Sequence, residues 1–171
     1  MIHIRKMHPE DAEQVIRLSS AARIQVYQDL ISADRRAAFM DSQSTDLAML
    51  SKKIRQLQNR LNDTSKMTLV AEEDGSVIGY CAATVGENAV YLSNLYVHPK
   101  HQGKGAGKLL FAALKKHYPH KSMRLHVVGE NARALSLYEK LGFKKIESRP
   151  STYFGLSRIL MEASADIDFS L

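Results

Sequence analysis

Three glycines, each separated by one residue, give the chain a segment whose backbone N–H groups are suited to binding an anion. Residues 102–107, called the glycine loop below, have the sequence Gln-Gly-Lys-Gly-Ala-Gly. β-Forming residues precede them and an apolar helical pattern follows, so the glycine loop leads into the positive end of a helix. The spacing matches neither the P-loop nor the dinucleotide fingerprint. The segment predicts a pyrophosphate cradle, with an ordinary tight connection as the alternative.

A second segment combines the end of a strand with a helix that carries a tyrosine. Residues 123–128 are strand-like, Asn131 is suited to cap the following helix and Gly142 is suited to end it. Tyr138 lies two turns into that helix. From the helical pattern alone, Tyr138 is a half-buried aromatic side chain, so the segment gains a function only together with the glycine loop.

Metal and thiol chemistry have little support in the sequence. His117 and His120 lie on either side of Pro119 without a nearby cysteine or acidic partner, which disfavours a zinc site. The single cysteine, Cys81, lies beside two alanines in a strand-like segment and is expected in the core. We therefore expect no bound metal and no cysteine nucleophile.

Charge is distributed unevenly along the 171 residues, whose formal net charge is +6. Residues 1–99 hold 11 Lys and Arg against 12 Asp and Glu, whereas residues 100–149 hold 12 against 3. The basic surplus therefore begins where the glycine loop begins. Such a surplus indicates an anionic partner, either a phosphorylated cofactor or a nucleic acid, unless it is only a solvated basic face.

The elements around these segments mix helices with strands. Apolar residues recur at helical spacing in residues 12–30 and 46–61, whereas residues 33–44 show no clear pattern. Hairpin signals join three strands within residues 67–97. The predicted order is β-α-α-β-β-β-α-β-α-β-β. This order indicates an α+β fold with a mixed central sheet of about six to seven strands flanked by about four helices.

Together, the two segments resemble the signatures of the GNAT superfamily of acyl-CoA-dependent N-acetyltransferases. The cofactor loop of that family, [Q/R]-x-x-G-x-[G/A], is matched by Gln102, Gly105 and Gly107. The V-x-P before the loop is matched by Val97-His98-Pro99. The second signature, N-x-x-A-x-x-[L/F]-Y-x-x-x-G-F, is matched by Asn131, Ala134, Leu137, Tyr138, Gly142 and Phe143. The resemblance is strong over about residues 67–147 and implies a GNAT-like fold.

The resemblance implies acetyl-CoA as cosubstrate and direct transfer to an amine in a ternary complex. The strand before the glycine loop would splay from its neighbour, so that its free backbone groups bond the pantetheine arm. The backbone N–H of Leu95 would stabilise the oxyanion, and Tyr138 would protonate the departing CoA thiolate. The implied cofactor-binding residues are Leu95, Tyr96, Val97, Gln102, Gly103, Lys104, Gly105, Ala106, Gly107, Lys108, Asn131 and Tyr138.

The general base is the point at which this chain departs from the family pattern. Many members carry a glutamate six residues before the valine of V-x-P, and this chain has Tyr91 at that position. A tyrosine is a poor base near neutral pH but can orient a water, and Ser93 shares its strand face by alternation. The sequence therefore predicts that water relays the amine proton, with Tyr91 in a water-positioning role.

The acceptor amine is left open by the sequence. A small amine, a polyamine, or an amine of a protein or peptide agrees with the family, and residues 22–61 are expected to wall the acceptor site. One alternative is a non-catalytic CoA-binding regulatory module, which Tyr91 in place of glutamate favours. Another is an acetyltransferase that acts on charged tRNA, although nucleic acid is not the favoured partner because CoA phosphates account for part of the basic surplus.

We expect one domain over residues 1–165 and a short tail over residues 166–171. No apolar run approaches the ~18 residues that a membrane span needs, and the N-terminus lacks the apolar core of a secretory signal. With a single cysteine, these features predict a cytoplasmic protein without a membrane partner. The resemblance also leaves open a homodimer formed through the last strands.

Overall fold

The computed structural model describes residues 1–150 and 153–167 as a mixed sheet between two layers of helices. The strands are β1 (His3–Lys6), β2 (Lys66–Glu73), β3 (Ser76–Val85), β4 (Ala89–Val97), β5 (Ser122–Val128), β6 (Lys144–Pro150) and β7 (Ser157–Ala163). The helices are α1 (Ala12–Tyr27), α2 (Ala33–Ser42), α3 (Leu47–Leu61), α4 (Ala106–His117) and α5 (Ala132–Lys140). Their order confirms the predicted α+β class.

The strands of the described part lie in the order β1-β2-β3-β4-β5-β7-β6. Each neighbouring pair is antiparallel except β4 and β5, which run parallel. The sheet is therefore mixed and has seven strands, as predicted.

The two helical layers cover opposite faces of the sheet. On one face, called the α1 face, α1 and α3 bury their apolar stripes against β2 and β3. On the other, called the α4 face, Leu110, Phe111 and Leu114 of α4 are fully buried against the strands, and α5 packs beside them. The three- and four-residue spacing in the sequence thus becomes one stripe per helix facing the sheet.

The sequence does not predict α2, so the described part has five α-helices where about four were expected. This helix is held by Phe39, which is fully buried in a cluster with Ile31 and Leu156. A helix with one buried residue produces no apolar stripe, and this is why residues 33–44 show no pattern.

The sheet divides between β4 and β5. These strands pair only over residues 89–92 and 122–125, so β4 has no described partner strand on that edge from Ser93 onward. At the same point, Ser93 is an extra residue opposite the Ala82–Ala83 step of β3, which makes it a β-bulge. The splayed strands that the family resemblance implies are therefore present, and one edge of β4 keeps its backbone groups free.

The end of the chain lies only partly within the described residues. Of the predicted tail, Ile167 packs against the buried cluster of the α4 face, close to Gly142. Residues 168–171 lie outside the described part. None of the described helices combines the length and apolar character needed to cross a membrane.

Candidate active site

The glycine loop follows a 3-10 turn, Pro99–His101, and ends within the first turn of α4. Gly103 and Gly105 have φ angles of 85° and 87°, in the left-handed region that favours glycine. A Cβ added at either position would meet no heavy atom within 4 Å. The loop therefore turns the chain without side chains and leaves open space above its backbone.

The backbone N–H groups of the glycine loop lie at the N-terminus of a helix. Gly105 is the N-cap of the 12-residue helix α4 and offers no side-chain cap. Within residues 1–150 and 153–167, no acceptor receives a hydrogen bond from the N–H groups of residues 103–108. Unpaired N–H groups at the positive end of a helix form an anion site, and several in sequence suit a pyrophosphate.

A cavity of about 660 Å³ joins the glycine loop to the free edge of β4 and to α5. The sequence-predicted residues that line it come from three separate parts of the chain. They are Leu95, Tyr96, Val97, Gln102, Gly103, Gly105, Ala106, Gly107, Lys108, Asn131 and Tyr138. Only Lys104 of the predicted cofactor-binding set does not line the cavity.

The lysines around the glycine loop have different partners. The Lys104 ammonium lies 2.9 Å from Glu73 Oε2, which also lies 3.3 Å from His101 Nδ1. These contacts hold the pKa of the Glu73 carboxyl below its usual range, the contact with Lys104 most of all. Lys108, in contrast, lines the cavity and forms no ion pair within the described residues. Of these two lysines, Lys108 therefore brings positive charge to the cavity wall and Lys104 does not.

The helix α5 positions Asn131 and Tyr138. Asn131 Oδ1 accepts a hydrogen bond from the Ala134 N–H at 3.1 Å, which confirms the predicted cap. Tyr138 contacts the rings of Phe111 and Phe143, with centroid distances of 6.2 and 5.7 Å. Burial raises the pKa of the Tyr138 phenol above its usual value. The phenol therefore stays protonated near neutral pH, as a proton donor must.

The α1-face wall of the cavity is formed by Ala22, Val26 and Tyr27 of α1 together with Tyr96 of β4. Behind it, the Arg23 guanidinium carbon lies 5.2 Å from the centroid of the Tyr96 ring. Among the described residues, Arg23 Nε is buried without a hydrogen-bond partner. Burial lowers the pKa of Arg23, but neighbouring tyrosines raise it by more, so the pKa lies above its usual value. Within the described residues, this cation has no carboxylate partner.

The two residues expected to hold a water lie in different surroundings. The exposed Tyr91 does not line the cavity, and its hydroxyl accepts a 2.9 Å hydrogen bond from Arg124 Nη1. Ser93 does line the cavity and donates a 3.0 Å hydrogen bond to the Ala82 carbonyl. Tyr91 lies where β4 still pairs with β5, whereas Ser93 is the first residue of β4 beyond that pairing. The structure therefore brings only Ser93 to the cavity.

One cavity residue, His126 of β5, was not predicted from the sequence. The alternation of β5 provides a local signal, because Leu125 and Val127 are buried in the α4-face cluster and His126 projects from the other face. The sequence does not show that this face borders the division of the sheet. Among the described residues that line the cavity there is no Asp or Glu, and His126 and His101 are the two histidines.

The fold is shared with solved N-acetyltransferases. The structure resembles that of the PaiA N-acetyltransferase from Thermoplasma acidophilum in complex with coenzyme A, with a TM-score of 0.71 and 24% identity, over 96% of this chain and 99% of that chain. Residues 25–143 match the Acetyltransferase (GNAT) family, and the chain belongs to this family. The resemblance stated from the two sequence signatures is thereby confirmed.

Relatives match part of the chain at higher identity. The mycothiol acetyltransferase of Tsukamurella paurometabola is 37% identical over 83 residues, which are 44% of this chain and 28% of the relative. The L-amino acid N-acyltransferase of Escherichia coli is 34% identical over 97 residues, which are 51% of this chain and 56% of the relative. The chain thus covers less than two thirds of either relative, and their acceptors are properties of those proteins.

Proposed function

We propose that this protein is an acetyl-CoA-dependent N-acetyltransferase that transfers the acetyl group directly to an amine in a ternary complex. The observation that carries the proposal is the continuity of the cavity, which joins the unpaired N–H groups of the glycine loop to Tyr138 along the free edge of β4. A cofactor with a phosphate end, an extended arm and a reactive end needs these features in this order. Membership of the family supports the same activity.

The cofactor-binding roles follow from what each lining residue offers. The pyrophosphate accepts hydrogen bonds from the N–H groups of residues 103–108, and the Lys108 ammonium adds a charge-assisted contact. The pantetheine arm lies along Leu95, Tyr96 and Val97 as an added strand. Asn131 contacts the arm through its amide nitrogen, because its Oδ1 caps α5. Lys104 contacts the phosphates only after its ion pair with Glu73 is broken.

Gln102 connects the glycine loop to both walls of the cavity. Its Nε2 donates to the Val97 carbonyl at 3.2 Å and to Gln25 Oε1 at 2.9 Å. Because Val97 lies on β4 and Gln25 on α1, this side chain holds the loop against the free strand edge and the α1-face wall. We propose that Gln102 positions the cradle in this way.

Tyr138 and Leu95 perform the chemistry in this proposal. The Leu95 N–H stabilises the oxyanion formed when the amine attacks the thioester, and Tyr138 protonates the departing thiolate. From ordinary pKa values near 10 and 8.5, proton transfer from the phenol to the thiolate is uphill by about 2 kcal/mol, and burial of Tyr138 increases the gap. The apolar rings of Phe111 and Phe143 offset this by leaving a thiolate at the same place poorly solvated.

Transfer without a covalent acetyl-enzyme agrees with the position of the single cysteine. Cys81 is buried in the α4-face cluster and does not line the cavity. Burial raises the pKa of the Cys81 thiol to about 12. Because the thiolate is the nucleophilic form, Cys81 is unsuited to carry the acetyl group.

The charge of the cavity wall bears on the acceptor. A polyamine needs carboxylates to balance its several ammonium groups, and the lining residues within the described part of the chain include no Asp or Glu. The Arg23 guanidinium behind Tyr96 adds positive charge on the acceptor side. We therefore propose an acceptor with a single amine, either a small molecule such as an amino acid or the amine of a peptide. Similarity to an L-amino acid N-acyltransferase supports the first of these.

An acetyl-CoA turnover assay over amino acids, peptides, aminoglycosides and polyamines tests this function. We expect CoA release that depends on an amine, with a product heavier by one acetyl group in the mass spectrum. Amino acids or peptides should be acetylated at least about tenfold faster than spermidine, a difference of about 1.4 kcal/mol. Tight CoA binding without any amine-dependent turnover would instead favour the regulatory module, and faster reaction with spermidine would contradict the proposed acceptor class.

A further inference from the structure

We propose that His126 accepts the proton that the ammonium group of the acceptor must lose before its nitrogen can attack the thioester. This inference rests on the proposed function and supplies the base for which the sequence offers neither a glutamate nor a well-placed Tyr91. It follows from where His126 lies, from what else lines the cavity and from the charges around the imidazole.

His126 lies at the point where the sheet divides. Leu92 and Leu125 are the last residues through which β4 and β5 pair, and Ser93 and His126 come next on the two strands. Both of these residues line the cavity. Because Leu125 is buried on the α4 face, His126 projects from the α1 face, the face from which Tyr27 and Tyr96 also border the cavity. An amine bound on that side is within reach of the imidazole directly or through one water.

The other titratable residues of the lining are unsuited to accept this proton. Lys108, Arg133 and Lys140 are already cations, and phenols such as Tyr27 are weak bases near neutral pH. His101 lies at the glycine loop, where its Nδ1 is 3.3 Å from Glu73 Oε2. Among the lining residues, His126 is therefore the group that combines a suitable chemistry with a place at the acceptor side.

The surroundings of His126 lower the pKa of its imidazole. Partial burial lowers the pKa of His126 most, Arg158 of β7 and Arg149 of β6 lower it further, and Glu147 of β6 raises it. On its own strand, the neighbouring Arg124 is paired with Glu162 at 2.8 Å. A pKa below the ordinary ~6.5 means that the imidazole has a free lone pair near neutral pH. Since His126 is exposed, it can return the proton to solvent.

With His126 as the base, every proton of the reaction is accounted for. The ammonium loses one proton to His126, through a water beside the Ser93 hydroxyl, and His126 releases it to solvent. The nitrogen forms a bond to the thioester carbon, the C–S bond breaks, and Tyr138 protonates the thiolate. The second proton, which the nitrogen loses as the amide forms, balances the one that Tyr138 gave. One proton is released per turnover.

The dependence of kcat/KM for the acceptor on pH tests this role, with His126→Gln compared to the wild type from about pH 5.5 to 9.5 (a window around the ordinary His value). In the wild type, kcat/KM should increase with pH, and the midpoint of this increase should lie below pH ~6.5. His126→Gln should not show this increase, and its kcat/KM at pH 7 should be about 10²-fold lower. Its kcat/KM should increase only as the pH approaches the pKa of the free amine. Its Kd for CoA should stay unchanged, and added imidazole should partly restore His126→Ala.

His120→Gln is the matched control, because His120 is exposed and does not line the cavity. It should keep the pH-dependent increase in kcat/KM and the rate of the wild type. A His126→Gln enzyme that keeps both overturns the inference while leaving the acetyltransferase proposal intact, as does a variant whose only defect is weaker CoA binding. A wild-type protein that acetylates no amine overturns both proposals.

Discussion

Replacing Tyr138 with phenylalanine should lower kcat by about 10²-fold, or about 2.7 kcal/mol, and leave the Kd for CoA within about twofold. The phenylalanine keeps the contacts with Phe111 and Phe143 and removes only the proton donor. Because burial raises the pKa of Tyr138, the acid form persists above the usual pKa of a phenol. The wild-type kcat should therefore show no loss from Tyr138 deprotonation up to about pH 10.

Tyr118→Phe is the matched control for this substitution. Tyr118 is also half-buried against the α4-face cluster but does not line the cavity, so removing its hydroxyl should leave kcat unchanged. Thermal unfolding of both variants excludes a folding defect as the cause of a lower rate. A Tyr138→Phe enzyme with the wild-type kcat would remove Tyr138 from the role of acid.

Replacing Gly105 with alanine should raise the Kd for CoA at least about tenfold, which corresponds to about 1.4 kcal/mol. At a φ of 87° the alanine is strained, and its methyl group projects into the open space over the N–H groups that are proposed to hold the pyrophosphate. Titration calorimetry with CoA measures the effect. The loss should be larger for CoA than for a pantetheine fragment that lacks the phosphates.

Gly75→Ala separates backbone strain from loss of the cradle. Gly75 lies in the β2–β3 hairpin with a φ of 76°, and an added Cβ there also meets no heavy atom within 4 Å. The two variants should thus lose similar stability, of order 1–2 kcal/mol, but only Gly105→Ala should bind CoA more weakly. Equal CoA affinity in the two variants would contradict the assignment of the glycine loop.

The features that the sequence predicts well are those decided by neighbouring residues. Gly103 and Gly105 turn the chain because glycine tolerates positive φ, and Asn131 caps α5 through an N–H three residues later. The stripes of α3 and α4 depend only on spacing within each helix. Local rules therefore anticipated the cradle, the helix that carries Tyr138 and most of the element order.

The features that the sequence does not predict depend on contacts between distant segments. The bulge at Ser93 is defined by its register with β3, and Ser93 rather than Tyr91 borders the cavity because β4 pairs with β5 only as far as Leu92. His126 becomes part of the site because β5 pairs with β4 only as far as Leu125. Helix α2 depends on Phe39 meeting Ile31 and Leu156. None of these partners is apparent from spacing along the chain.

A crystal structure of the protein with bound coenzyme A tests the central claim most directly. We expect the pyrophosphate about 3 Å from N–H groups of residues 103–108, the arm along the free edge of β4, and the sulfur between the Leu95 N–H and the Tyr138 hydroxyl. Coenzyme A bound by the basic surface outside the cavity, with the glycine loop unoccupied, would contradict this account.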